Sequence, residues 1–309
     1  MLHHPLVRLA AVLACCGAVV GTDRAVAQTQ DTVYLVQLPT SVRSVGLNGA
    51  GVAILGDAAG VFASPTALAT LRHAGLEAAY RAAPGEAFIM SAALGWRMRQ
   101  FDLGVGGRLL DFGTNPDQYL GGGVSTGTSA REVLGTASLV YRFGIIALGA
   151  TGKYTRRTVG DVWTGGVSGD AGLAFAFFDI MAIAFAVQNI GGNWRDTSSL
   201  VMPRLTRLGF TMNYVDPQES FRLMSTFEMM WRAGESARGV LGLEAGAVLK
   251  GALGIIGRGG WSGRPDVLSE SEFTFGGTVQ VGTLMLDYAY RDQDLLGEAG
   301  HYFGARFTF

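Results

Sequence analysis

The feature that most constrains this chain is an alternation of apolar and polar residues, with period two, that recurs along most of its length. In the stretch His301 to Phe309, Phe303, Ala305, Phe307 and Phe309 fall on one face of an extended strand. Tyr302, Gly304, Arg306 and Thr308 fall on the other. A strand in a soluble core would not set Arg306 between phenylalanines. A strand with one face in lipid and the other in a polar lumen would. The same pattern sets Leu284, Leu286, Tyr288 and Tyr290 against Met285, Asp287, Ala289 and Arg291. It also sets Leu103, Val105 and Leu109 against Asp102, Gly104, Gly106 and Arg108.

From about His73 the chain divides into fourteen such segments: 73–83, 86–97, 101–111, 129–141, 144–157, 165–178, 180–190, 203–214, 219–231, 238–249, 251–261, 270–281, 283–292 and 300–309. Every second connection is short. The alternate ones, including 112–128, 191–202, 262–269 and 293–299, are mostly longer and rich in Gly, Asp, Ser and Thr. Short periplasmic turns and longer outer loops are the habit of bacterial barrels. The expectation is an all-β fold, a 14-stranded antiparallel transmembrane β-barrel. The polar face collects Glu77, Arg81, Asp102, Arg108, Arg207, Glu228, Glu244, Glu272, Asp287, Arg291 and Arg306 as a paired lumenal lining. Trp96, Tyr141, Tyr214, Trp231 and Tyr290 sit near strand ends on the apolar face, as aromatic girdles do. The segment 251–261 carries glycine on both faces, which leaves its parity open.

The start of the chain reads as an export signal. Leu9 to Gly21 is an apolar core behind Arg8, and Ala25-Val-Ala27 is a small-x-small cleavage site, so residues 1–27 form a signal peptide. Cys15 and Cys16 both lie in it, which leaves no thiol for disulfides, zinc or nucleophilic catalysis in the mature chain. Residues 28–72 do not alternate. Thr32 to Leu38 reads as a short strand, Ser44 to Gly56 is small and Gly-rich, and Asp57 to Leu71 reads as a helix punctuated by Pro65. A barrel of fourteen strands is wider than side chains alone can fill. Residues 28–72 are therefore expected to be an N-terminal hatch or plug under or within the barrel of residues 73–309. The formal charge of −1 gives no footprint for nucleic acid. Mean hydropathy is +0.28, yet no apolar run is long enough for a membrane helix. Such a chain crosses a membrane only as a closed barrel.

Candidate sites follow from the same frame. Gly46-x-x-Gly49-x-Gly51 resembles a phosphate loop but lacks a following Lys and a strand–turn–helix setting; close packing in the lumen explains its glycines. Asp57 is placed to cap a helix beginning near Ala58 or to pair with an inward arginine such as Arg108. Gly46, Gly49, Gly51, Asp57, Pro65, Arg108, Glu228, Glu244, Asp287 and Arg306 form the expected hatch and lumen set. In the loop 112–128, Asn115, Asp117 and Tyr119 are the candidate contacts for a partner. His73 and His301 are the histidines that remain after processing, and neither reads as half of a catalytic dyad, so no enzyme and no cofactor are expected.

Four places resemble one family. They are Gly46-Leu-Asn-Gly-Ala-Gly-Val52 with Asp57-Ala-Ala and Ser64-Pro-Thr-Ala-Leu68; Ala186-Val-Gln-Asn-Ile-Gly-Gly192; Pro203-Arg-Leu-Thr-Arg-Leu-Gly-Phe210; and Leu286-Asp-Tyr-Ala-Tyr290 with Leu296-Gly297 and the last strand. Together they resemble the PorV/PorQ outer-membrane proteins, themselves similar to the FadL-type fourteen-stranded barrels. Ser64 stands where the family's turn has Asn, and Thr66-Ala67 where it has Ala-Gly. The resemblance implies placement in the outer membrane and contact with its lipid. It also implies Phe309 as a terminal signal for the barrel-assembly machinery. For function it implies assistance to type IX-like secretion components and exported cargo, or alternatively passage of hydrophobic solutes.

Overall fold

The computed structural model describes residues 32–120, 124, 127–177, 180–191, 200–215, 221–249, 253–263, 271–292, 295–297 and 299–309. The proposed signal peptide and its cleavage site lie outside these residues. Fourteen strands form the wall: β1 Ala74–Ala82, β2 Phe88–Met98, β3 Phe101–Asp111, β4 Ala130–Phe143, β5 Ile146–Val159, β6 Val162–Phe177, β7 Met181–Ile190, β8 Leu205–Asn213, β9 Phe221–Arg232, β10 Arg238–Leu249, β11 Leu253–Gly263, β12 Phe273–Val281, β13 Leu284–Arg291 and β14 Gly300–Thr308. Each pairs antiparallel with its sequence neighbour, and β1 pairs with β14 from Gly75↔Thr308 to Arg81↔Tyr302, so the barrel is closed. Closure leaves no strand edge to be desolvated in lipid. The backbone of Phe309 extends the seam by donating to the Ala74 carbonyl at 2.9 Å.

Parity holds around the wall. Leu76, Leu94, Val105, Leu139, Leu148, Leu243, Phe275, Leu286 and Phe303 face outward and are exposed. Glu77, Arg81, Asp102, Arg108, Arg207, Glu228, Glu244, Asp287, Arg291 and Arg306 face inward and are buried. Strand β11 takes the parity that puts Ile256, Arg258 and Ser262 inside and Leu253, Ile255 and Trp261 outside. Glu272 departs from the expected lining. Strand β12 begins at Phe273, three residues later than the expected 270, so Glu272 stands exposed at the strand mouth. Strand β6 starts at Val162, earlier than its alternation suggests, because Gly160 (φ +55°) turns the chain in a tight β5–β6 connection. A bulge sits where β6 meets β7: Gly169 pairs with Ile190, but Ala171 pairs with Val187. Asn189 takes φ +60° there, and its amide donates to Asp170 at 2.8 Å.

The expected strand at Thr32 to Leu38 is reduced to a single bridge, Thr32↔Val201. Wall side chains replace its ladder: the Leu35 amide donates to Glu132 Oε1 at 2.6 Å, and Arg108 donates to the Leu35, Leu38 and Pro39 carbonyls at 2.6, 3.2 and 2.8 Å. The expected helix at Asp57 to Leu71 is one 3-10 turn, Ala58–Phe62, followed by turns through Pro65. With Gly60 and Pro65 in it, the stretch has little helical preference of its own. A short helix, α1 (Val42–Gly46), is capped by Ser41 and Ser44 in a reciprocal box.

Candidate functional site

The N-terminal segment Thr32 to Leu71 touches the wall at glycines. A Cβ at Gly104 would lie 2.5 Å from Leu68 and Val61; at Gly209, 2.4 Å from Val52; at Gly260, 2.4 Å from the Leu47–Asn48 backbone. A Cβ at Gly149 would meet the Pro65 carbonyl at 2.5 Å. Glycine at these wall positions thus leaves room for the segment's side chains and backbone against the inner face of a strand. Leu47, Ala50, Ile54, Met224 and Val240 form one apolar cluster between segment and wall, and Val42, Val45, Ala289 and Tyr302 form another.

Between these clusters lies a ring of six charges. Asp57 accepts from Arg43 Nη1 at 2.9 Å, Arg43 Nε donates to Glu244 at 2.9 Å, and Arg258 Nε donates to Glu244 at 3.2 Å. Arg258 Nη1 reaches Asp287 at 3.1 Å, Arg306 Nε reaches Asp287 at 2.6 Å, and Arg306 Nη1 returns to Asp57 at 3.1 Å. Three guanidinium groups and three carboxylates alternate, so the ring is neutral and each charge has two opposite neighbours. Arg43 and Asp57 come from the segment; Glu244, Arg258, Asp287 and Arg306 come from β10, β11, β13 and β14. Asp57 sits at the N-cap of the 3-10 turn but caps nothing, and it does not reach Arg108, which is spent on backbone carbonyls. Two facing arginines offer its carboxylate more than a turn amide can.

Burial alone would raise the Asp57 pKa from its ordinary 3.8, but Arg43 and Arg306 outweigh it and hold the group at about 2. Burial likewise disfavours the Arg43 cation, and Glu244 and Asp57 reverse that, raising its pKa. For a depressed carboxylate, the stabilisation is complete above the unfolded value and disappears as pH falls through the folded one. Proteolysis of the segment should therefore accelerate between pH 4 and pH 2, and an Asp57→Asn variant should lack that step.

The glycine-rich turn is held by a second clamp. The Gly51 and Val52 amides donate to Glu228 Oε2 at 2.8 and 3.0 Å, where a phosphate loop would present them to a ligand. Arg207 completes it, pairing with Glu228 and donating to the Gly49 carbonyl at 2.9 Å. Gly49 takes φ +91°, and Gly46 packs against Arg258 with no room for a Cβ, which would come within 2.8 Å. A third clamp joins Arg157, Glu132 and the Thr32 carbonyl. The structure thus brings Gly46, Gly49, Gly51, Asp57, Pro65, Arg108, Glu228, Glu244, Asp287 and Arg306 to one interface. Tyr119 is turned back onto the mouth: its hydroxyl donates to the Pro84 carbonyl at 2.7 Å, and its ring packs on Phe112. The ring is half-buried there. Asn115 stays exposed, and Asp117 begins a short helix, α2 (Asp117–Leu120).

Arg43, Arg258, Glu132, Arg157, Lys153 and Asp170 are lumenal charges that the expected set lacks. Glu132, Lys153, Arg157 and Asp170 carried the signal, since each has inward parity in its strand. Arg43 had none, because the segment does not alternate.

Two hollows flank the wall at β1, β2 and β14. The outer one, of about 720 Å³, opens on the lipid face and is lined by Ala78, Ala92, Gly107, Gly135, Ala305 and bulkier neighbours. The inner one, about 20 Å³, lies between Pro39–Val45 and the same strands. Both are lined by Ala79, Tyr80, Ser91 and Arg108. A third, of about 340 Å³, opens at the end of the barrel with the short turns and is lined by Ile54, Leu55, Arg72, Arg97, Met181 and Asn213 among others.

No family model matches the chain, and no curated protein matches it by sequence. Solved structures do match in fold. The CymD monoaromatic hydrocarbon channel superposes with a TM-score of 0.60 at 13% identity, over 90% of this chain and 99% of its own. A Pseudomonas aeruginosa FadL homologue gives 0.57 at 13% identity, over 88% and 99%. The Ralstonia pickettii toluene transporter TbuX gives 0.54 at 14% identity, over 89% and 99%. At these identities the likeness is one of architecture, and the chain has the fold of the FadL-type fourteen-stranded outer-membrane barrels.

Proposed function

We propose that this barrel lets small hydrophobic molecules cross the outer membrane, with residues 28–72 as its hatch. The observation that carries this reading is the pair of hollows that share Ala79, Tyr80, Ser91 and Arg108. An apolar solute has an apolar hollow on the lipid side, and between it and the hatch stands a single layer of wall in which Ala79 and Ser91 are small and Tyr80 and Arg108 are not. The ladder of β1 with β14 and β2 is continuous there, so passage needs the hatch or wall to move. The fold it shares with a monoaromatic hydrocarbon channel and a toluene transporter supports the same reading. Assistance to protein export, with Asn115, Asp117 and Tyr119 as partner contacts, rests on the sequence resemblance alone. Phe309, at the seam, is proposed as the residue that assembly factors read.

Cells lacking the gene should take up radiolabelled toluene more slowly, with their surface-exposed proteins unchanged. Loss of surface proteins with normal uptake would favour the export role instead. If neither changes, both readings fail.

A further inference from the structure

The outer face of the wall changes character at one sector. On β5 the outward residues run Ile146, Leu148, Ala150, Gly152 and Tyr154, all without charge, and then reach Arg156. On β4 they run Phe143, Tyr141, Leu139, Ala137, Gly135 and Val133, and then reach Arg131. Ten residue steps separate Ile146 from Arg156; at the usual rise and tilt these cover roughly 25 Å, the height of a barrel's apolar band. Both arginines therefore stand at the upper boundary of the hydrocarbon, on the side away from the short turns.

They are also neighbours. Arg131 pairs in register with Thr158 and Val133 with Arg156, which makes the two arginines diagonal partners on adjacent strands, roughly 7–8 Å apart. Asp111 on β3 holds Arg131 at 2.8 Å, yet the Arg131 side chain remains 61% exposed. Arg156 lies over the Trp163 ring at 4.8 Å and donates no hydrogen bond to another described residue. Its donors are thus fixed in direction by the ring and left open to the membrane boundary. At the same level on β2, β11, β12, β13 and β14 the outward residues are Phe88, Trp261, Phe273, Tyr290 and His301, an aromatic or imidazole rim. The guanidinium pair on β4 and β5 breaks that rim with an excess of positive charge.

We infer that Arg131, Arg156 and Trp163 form a docking surface for the phosphorylated headgroup of an outer-leaflet lipid. Guanidinium and phosphate match in charge and fork geometry. The uncharged faces of β4 and β5 below the arginines are open to the lipid's acyl chains. The surface is on the outside of the wall, so it is independent of what passes through the lumen.

The test is native mass spectrometry of the full-length barrel in non-ionic detergent, titrated with bis-phosphorylated lipid A. The double variant R131Q/R156Q should weaken binding by about tenfold or more, as expected for lost charge-assisted hydrogen bonds. D111N should tighten it, and lipid A stripped of phosphate should bind the unaltered barrel as poorly as intact lipid binds the double variant. Equal binding by the double variant, or by the dephosphorylated lipid, overturns the inference. So does displacement of the lipid by millimolar inorganic phosphate, which would make free anion the ligand. Both arginines are exposed, so their replacement spares the core.

Discussion

A Val42→Cys/Gly304→Cys variant should form a disulfide on oxidation and lower solute uptake by roughly tenfold or more, the scale expected where a gating movement is obligatory. A Cβ at Gly304 would lie 3.5 Å from Val42 Cβ, within the range disulfides use. Its 2.8 Å clash with Val42 Cγ2 disappears when the valine is replaced. The bond would tie α1 to β14, beside the inner hollow. Cys15 and Cys16 are the sequence's own cysteines, and with the proposed cleavage after Ala27 no other thiol competes. Reduction should restore uptake, and the Val42→Cys single variant, which adds nothing at Gly304, should behave as the unaltered barrel. Full uptake through the oxidised form would mean that solutes do not need this part of the segment to move.

The second large effect concerns stability. Arg306→Gln should cost roughly 3–5 kcal/mol, because it strips Asp57 and Asp287 of a shared partner inside a buried ring. The measurement is the urea midpoint of the folded barrel in detergent. Adding Asp287→Asn should recover part of the loss by removing one stranded charge. If R306Q unfolds at the same urea concentration as the unaltered barrel, the ring contributes nothing measurable and the apolar clusters hold the segment alone.

How much of this was legible in the residues depends on whether a stretch repeats. Where one face meets lipid, each strand declares itself, and Leu103–Val105–Leu109 against Asp102 and Arg108 needed no partner to be read. Strand β11 was harder, because Gly254, Gly257, Gly259 and Gly260 blur both faces, and Arg258 was missed with it. Glycine at Gly260 is there for the backbone of Leu47–Asn48, a cause far away in sequence. The segment itself has no period. Thr32 to Leu38 has strand-like residues, but Arg108 and Glu132 take the hydrogen bonds a strand would have used. Tertiary partners override local preference there. Asp57 was recognised as a charge in need of a partner, while Arg43, its nearer one, had no pattern to reveal it.

The six-charge ring has a consequence for chronology. Four of its members stand on strands near the C-terminal end of the sequence, and two on a stretch that emerges early in synthesis. Asp57 and Arg43 can meet each other at any time, but Glu244, Arg258, Asp287 and Arg306 line up only once their four strands are in register. The earliest-made part of the described chain therefore cannot complete its final contacts until strands synthesised long after it have paired.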